Sequence, residues 1–231
     1  MTKKNETVVK IAQTALMAAL CFVSFQFLQF KIVLPGGDAT SFHVGNAFCV
    51  LAALILGGWY GGLAGAIGMG FADILDPVYI TGAPKTFVLK LCIGLIVGLV
   101  AHRIAKINES TDKKYIFRWS MIASVAGLGF NVIADPIVGY FYKQYIMGQP
   151  QQMAEVLAKW SAATTFVNAV ISVILAGVLY NALRPVLLKT GIIRQKREEA
   201  VTAKSILKCK KSKKMYFFGD FFALTVVLLL K

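Results

Sequence analysis

Charged residues are scarce in this chain. They fill 16% of its 231 positions, against 57% hydrophobic ones, and the mean hydropathy is +0.66. A soluble domain carries about 25% charged residues, and a soluble fold of this size would have to hide more apolar surface than its one core needs. The bilayer is the simpler solvent. Cysteine is scarce too. Cys21, Cys49 and Cys92 lie in apolar runs and Cys209 in a basic one, with no CxxC pair and no metal-ligand spacing, so they read as packing residues or a free thiol. No metal and no cofactor is expected. There is no GxxxxGK[ST] loop, which excludes ATP hydrolysis by that route, and no HExxH or GxSxG. A cleavable signal peptide is not expected, because the first apolar run is too long and no A-x-A-like site follows it.

What is there is a series of apolar runs. A spanning helix takes roughly 20 apolar residues, and six spans are predicted: Val8 to Phe30, Val44 to Leu56, Tyr60 to Leu75, Thr86 to Ala105, Trp119 to Tyr142 and Trp160 to Leu183. The second and third are short and joined by Gly57-Gly58-Trp59-Tyr60-Gly61-Gly62, so they form a tight antiparallel pair. The fold class is therefore an all-α integral membrane bundle of six transmembrane helices, covering residues 1–190, followed by a basic tail, 191–231, with a short apolar segment.

The net charge of +14 suggests nucleic acid only until its distribution is read. Twelve of the 25 basic residues lie from Arg184 onward, and most others flank apolar runs. That is a topology signal and not a nucleic-acid groove. One side holds Lys3, Lys4, Lys10, Arg103, Lys106, Lys113, Lys114, Arg118 and the C-terminal cluster; the other holds Lys31, Lys85, Lys143 and Lys159. Both termini are predicted to be cytoplasmic, in a multi-pass plasma-membrane protein. The outer loops are then Lys31 to His43, Asp76 to Lys85 and Lys143 to Lys159, rich in turn formers such as Pro35-Gly36-Gly37-Asp38 and Gly82-Ala83-Pro84.

Polar residues inside a bilayer are costly and call for a reason. Here they cluster at the outer ends of the spans: His43 and Asn46, Asp73 and Asp76, Lys90, Asn131 and Asp135, and Thr164, Asn168 and Ser172. They outline a cup open to the outside. Asn131 and Asp135 stand four apart on one helix face, above Gly127, and Pro136 is placed to open that helix. Pairing of Asp73 or Asp135 with Lys90 merely to hold the bundle is the competing reading. Gly57, Gly61 and Gly65, and Gly94 and Gly98, repeat every four residues and allow close helix packing; Ala15 and Ala19 repeat the pattern on the first span. His102 reads as an interface residue.

The residues Leu34-Pro35-Gly36-Gly37, His43-Val44-Gly45-Asn46-Ala47-Phe48, Leu51 to Gly57, Tyr60 to Gly65, Phe71 to Leu75 and Lys90 to Leu99 resemble the S components of energy-coupling-factor vitamin importers, over about Val8 to Lys189. Within that family the resemblance is to the riboflavin-type and hydroxymethylpyrimidine/pyridoxine-type members. It implies a six-helix subunit, not an enzyme, that binds a vitamin or precursor from outside. It also implies docking on a transmembrane coupling subunit driven by two ATPase subunits, through an AxxxA motif matched by Ala15 and Ala19. The chain beyond Arg194 departs from the family pattern.

The substrate-binding candidates are thus His43, Asn46, Asp73, Tyr79, Lys90, Asn131, Asp135 and Asn168. A cup holding Asp73 and Asp135 against Lys90, with Asp76 and Lys85 at the rim, repels anions. Tyr79, Tyr140 and Trp160 are placed to stack on a flat ring. A neutral or weakly basic heteroaromatic ligand fits best. The rival is a stand-alone secondary transporter, which often shows paired half-repeats and midplane polar groups; neither is clear here. A membrane enzyme would need more than Asp73 with Asp135.

Overall fold

A computed structural model describes residues 3–34, 38–190 and 192. Among the described residues there are six α-helices: α1 (Lys3–Phe27), α2 (Gly45–Leu56), α3 (Gly58–Leu75), α4 (Ala83–Gly98), α5 (Lys113–Phe141) and α6 (Gln151–Lys189). Between α1 and α2 lies an antiparallel hairpin, β1 (Gln29–Val33) with β2 (Ala39–His43), in the register Gln29↔His43 to Val33↔Ala39. α4 and α5 each run on into a π turn, Leu99–Ile104 and Tyr142–Ile146. Four helical segments are long and apolar enough to cross a membrane: Thr7–Phe27, Ile80–Ile104, Lys113–Ile146 and Gln151–Lys189.

α2 is the central helix. Of its 12 residues all but Phe48 and Leu56 are buried, and it packs on α1, α3, α4 and α6. Its length of about 18 Å, at 1.5 Å per residue, falls short of a hydrocarbon core of about 30 Å. β2 precedes it directly and packs against α6. The exposed edge of that strand is satisfied by a side chain: the His43 amide donates to Asn168 Oδ1 (3.1 Å), and Asn168 Nδ2 donates to the Ser41 carbonyl (2.9 Å). Non-helical backbone is tolerated at such depth only where protein or a cavity covers it.

Glycine sets the tightest contacts. A Cβ on Gly62, Gly94 or Gly98 would collide with the facing backbone, so α3 and α4 meet backbone to backbone. Gly61 sits on Ala53 in the same way. Gly57, at φ 91°, turns α2 directly into α3. The glycine repeat is thus intramolecular packing, whereas Ala15 and Ala19 are exposed on the outer face of α1.

Several predicted boundaries shift. α1 ends at Phe27 rather than Phe30, because the chain turns at Leu28 into β1; the expected outer loop from Lys31 is largely this hairpin. The fold is therefore not purely helical. α5 starts at Lys113 rather than Trp119, where Asp112 caps it by accepting from the Lys114 amide. α6 starts at Gln151, absorbing much of the loop expected from Lys143 to Lys159. Pro136 does not open α5, which continues unbroken to Phe141. Apart from Ile192, the expected tail 191–231 lies outside the described residues.

Candidate binding cavity

Polar side chains converge at the hairpin end of the bundle around a cavity of about 250 Å³. Its walls come from the hairpin, the start of α2, the end of α3, the first turns of α4, the last turns of α5 and the first half of α6. All eight candidates, His43, Asn46, Asp73, Tyr79, Lys90, Asn131, Asp135 and Asn168, line it. They come from different depths of their elements, His43 and Asn46 from the β2–α2 junction, Asp73 from the end of α3, and Lys90, Asn131 and Asn168 from further inside α4, α5 and α6.

The charges pair differently from the expected Asp73 or Asp135 with Lys90. Asp135 Oδ1 takes Lys85 Nζ at 3.0 Å, and its Oδ2 accepts from Ser161 Oγ (2.5 Å) and Thr165 Oγ1 (3.2 Å). Asp76 pairs with Lys31, and Asp38 with Lys143. Asp73 and Thr86 line the same cavity. Lys90 Nζ donates instead to Asn46 Oδ1 at 2.8 Å, with both residues buried. Lys85 and Lys143 reach into the lining, so the cavity holds Asp38, Asp73 and Asp135 against Lys85, Lys90 and Lys143. The lining is charge-balanced, not anionic as the sequence suggested.

Two features leave capacity for a guest. Asn131, 2% exposed, has its Oδ1 buried with no hydrogen-bond partner among the described residues, as has His43 Nδ1. A buried acceptor left unbonded is costly. An aromatic wall stands beside them: the Phe25 and His43 rings meet edge-on at 4.6 Å, and Tyr79 lies 6.4 Å from Phe25. Burial pushes the Tyr79 phenol up to about 12, so it stays neutral and able to donate at physiological pH.

Tyr140 and Trp160 are not in the lining. A helix turns 100° per residue. Tyr140 therefore faces Phe141 at 5.3 Å while Tyr142 turns to the cavity, and Trp160 is 44% exposed while Ser161 reaches Asp135. Ser172 is buried below the cavity, and Gly127 packs against Val97 and Ile93. Residues missed in the sequence include Phe25, Thr40, Ser41, Ser161, Thr165 and Lys143. Ser161 and Thr165 carried a usable signal, a polar pair four apart. Thr40 and Ser41 carried none until the strand was known.

The opposite end holds no comparable cluster of carboxylates among the described residues. Arg184 donates to Tyr180 Oη (2.8 Å) and to the Ile107 carbonyl (2.9 Å), and Tyr115 Oη donates to the Ala105 carbonyl (3.0 Å). His102 Nε2 meets the Ala53 carbonyl at 3.1 Å, so it is tied to α2 and not merely interfacial.

Apolar helices around a polar cavity at one end define a membrane-embedded protein that binds a small molecule. The profile of the family described as ECF-type riboflavin transporter, S component, matches residues 5–185, and the chain belongs to that family. It is a multi-pass membrane protein of a transporter family, not an enzyme. Comparison with curated proteins and with solved structures returned no match.

Proposed function

We propose that this chain is the substrate-capturing subunit of an energy-coupling-factor importer, taking a neutral or weakly basic heteroaromatic vitamin or precursor from outside through the hairpin end. Riboflavin, named in the family's description, is the first ligand to test; pyridoxine and hydroxymethylpyrimidine follow. The observation that carries the reading is the charge-balanced cavity with the Asn131 Oδ1 acceptor left open beside an aromatic wall. A ring that donates an N–H to Asn131 and stacks on Phe25, His43 or Tyr79 satisfies both. The volume sits just under the range of about 300–1,000 Å³ usual for small-molecule pockets, which suits a flat ring inside and a polar tail at the mouth. Acids already matched by lysines give a strongly anionic ligand no net attraction.

Orientation follows from the uncompensated charge. Lys31, Lys85 and Lys143 at the hairpin end are each paired with an aspartate. Arg103, Lys106, Lys113, Lys114 and Arg118 crowd the other end, which is the cytoplasmic one, with both termini. All six helices cross, α2 with β2 making one crossing. Ala15 and Ala19 then present a small-residue face to the coupling subunit, whose two ATPase subunits supply the energy.

Titration of the purified subunit with a vitamin panel tests the ligand. Tight riboflavin binding is expected, and tight binding of a folate with none of riboflavin would overturn the assignment. Docking is tested by Ala15→Trp and Ala19→Trp, which should abolish uptake and leave binding intact. Full uptake by the lone chain in ATP-free vesicles would make it a secondary transporter instead.

A further inference from the structure

The outer end of α5 faces two ways within a few residues. The π turn Tyr142–Ile146, closed by the Met147 amide on the Tyr142 carbonyl (3.1 Å), brings both Tyr142 and Lys143 into the cavity lining. Tyr142 Oη donates to the Thr81 carbonyl at 2.6 Å, and Lys143 pairs with Asp38. The turn thus touches both other segments over the cavity mouth. On its other side, Phe141 and Tyr145 stack at 6.0 Å and 13°, and they are 52% and 73% exposed; Ile146 is 69% exposed. Tyr140 stands edge-on against Phe141 and extends the ladder.

We propose that the Phe141–Tyr145 ladder is seated in the lipid headgroup boundary, and that this seat holds the Tyr142–Lys143 latch over the cavity. The proposal rests on the reading of the hairpin end as the outward mouth. The ladder stands at the outer end of the apolar segment Lys113–Ile146, whose 34 residues span about 51 Å at 1.5 Å each, more than a hydrocarbon core of about 30 Å, so its ends reach the headgroup region. Phenols with an apolar body and a polar tip favour that level. The turn's one cation, Lys143, is drawn inward by Asp38, so its outer side presents apolar and phenolic surface to the bilayer. Swinging the latch open would drag Phe141 and Tyr145 out of the boundary, so lipid contact biases the mouth toward closure.

The test compares Phe141→Ser/Tyr145→Ser with Tyr142→Phe/Lys143→Gln and wild type, in lipid nanodiscs and in detergent. Amide hydrogen exchange over residues 29–43 needs no ligand. In nanodiscs both double variants should exchange faster there than wild type; in detergent wild type should approach the serine variant. Phe141→Trp/Tyr145→Trp should restore slow exchange, which a general folding defect would not allow. With riboflavin as probe, dissociation in nanodiscs should speed up roughly fivefold to tenfold for the serine variant, the size of one lost contact. Unchanged exchange in the serine variant, or equal loosening in nanodiscs and detergent, would overturn the lipid seat. Failure of wild type to bind riboflavin would strike the ligand assignment instead, and the exchange result would still decide the seat.

Discussion

The two ends of this helical bundle are closed by different chemistry. At the hairpin end, acids and bases meet in three ion pairs around a cavity, and a buried acceptor on Asn131 is left open. At the other end, Arg184, Tyr115 and His102 bond to backbone carbonyls of the turns that finish α2 and α4, and the buried Asn108 Oδ1 is the acceptor left without a hydrogen-bond partner among the described residues there. One end gathers its charges around a cavity; the other ties Arg184, Tyr115 and His102 to its own backbone. Substitutions at the two ends should therefore separate binding from stability.

The largest effect is expected from Asp135→Ala. It strips Lys85, Ser161 and Thr165 of their shared partner inside the cavity wall. Breaking a buried pair costs about 3–5 kcal/mol; with Lys85 and Asp135 17% and 16% exposed, the lower figure is the better guide. Both thermal stability and ligand affinity should fall, read by a melting curve and a titration on one preparation. Loss of affinity alone would mean that the pair is not part of the wall's architecture.

Next comes Asn131→Ala. No described residue bonds its Oδ1, so the apo protein should melt no earlier than wild type by more than the small loss of packing. Ligand affinity should drop by about 1–3 kcal/mol, roughly ten- to hundredfold. A destabilised apo protein with wild-type affinity would reverse the contrast between the ends.

Arg184→Met should do the opposite. It removes the bonds to Tyr180 and Ile107, costing about 1–3 kcal/mol of stability for the groups left unbonded, while ligand affinity measured below the unfolding range stays at the wild-type value. Weakened binding in this variant would show the two ends to be coupled.

The smallest effect is expected from salt. Lys31 is 36% exposed, so its pair with Asp76 contributes at most about 1 kcal/mol and is screened. Lys31→Gln should leave affinity within a few-fold of wild type at all ionic strengths, and a large salt-dependent change would promote that pair from rim to site.

Much of this protein follows from its sequence alone. Apolar runs of span length, with basic residues gathered on one side, require a membrane bundle and forecast its charge asymmetry, because hydrophobic burial and positive charge are read locally along the chain. The eight candidates could be chosen for the same reason: a polar group in an apolar run is conspicuous by itself, and its distance from the end of the run gives its depth. What stayed hidden depends on partners distant in sequence. The hairpin Gln29–His43 is held by Asn168, 125 residues from His43, and no local pattern announces that bond. Lys85 and not Lys90 takes Asp135, because the crossing of α4 with α5 decides which lysine reaches it. Tyr142 faces the cavity and Tyr140 does not, since helical rotation and the π turn set that direction. Depth is a one-dimensional property that the chain carries in its order of residues. Facing and pairing are three-dimensional, and only packing decides them.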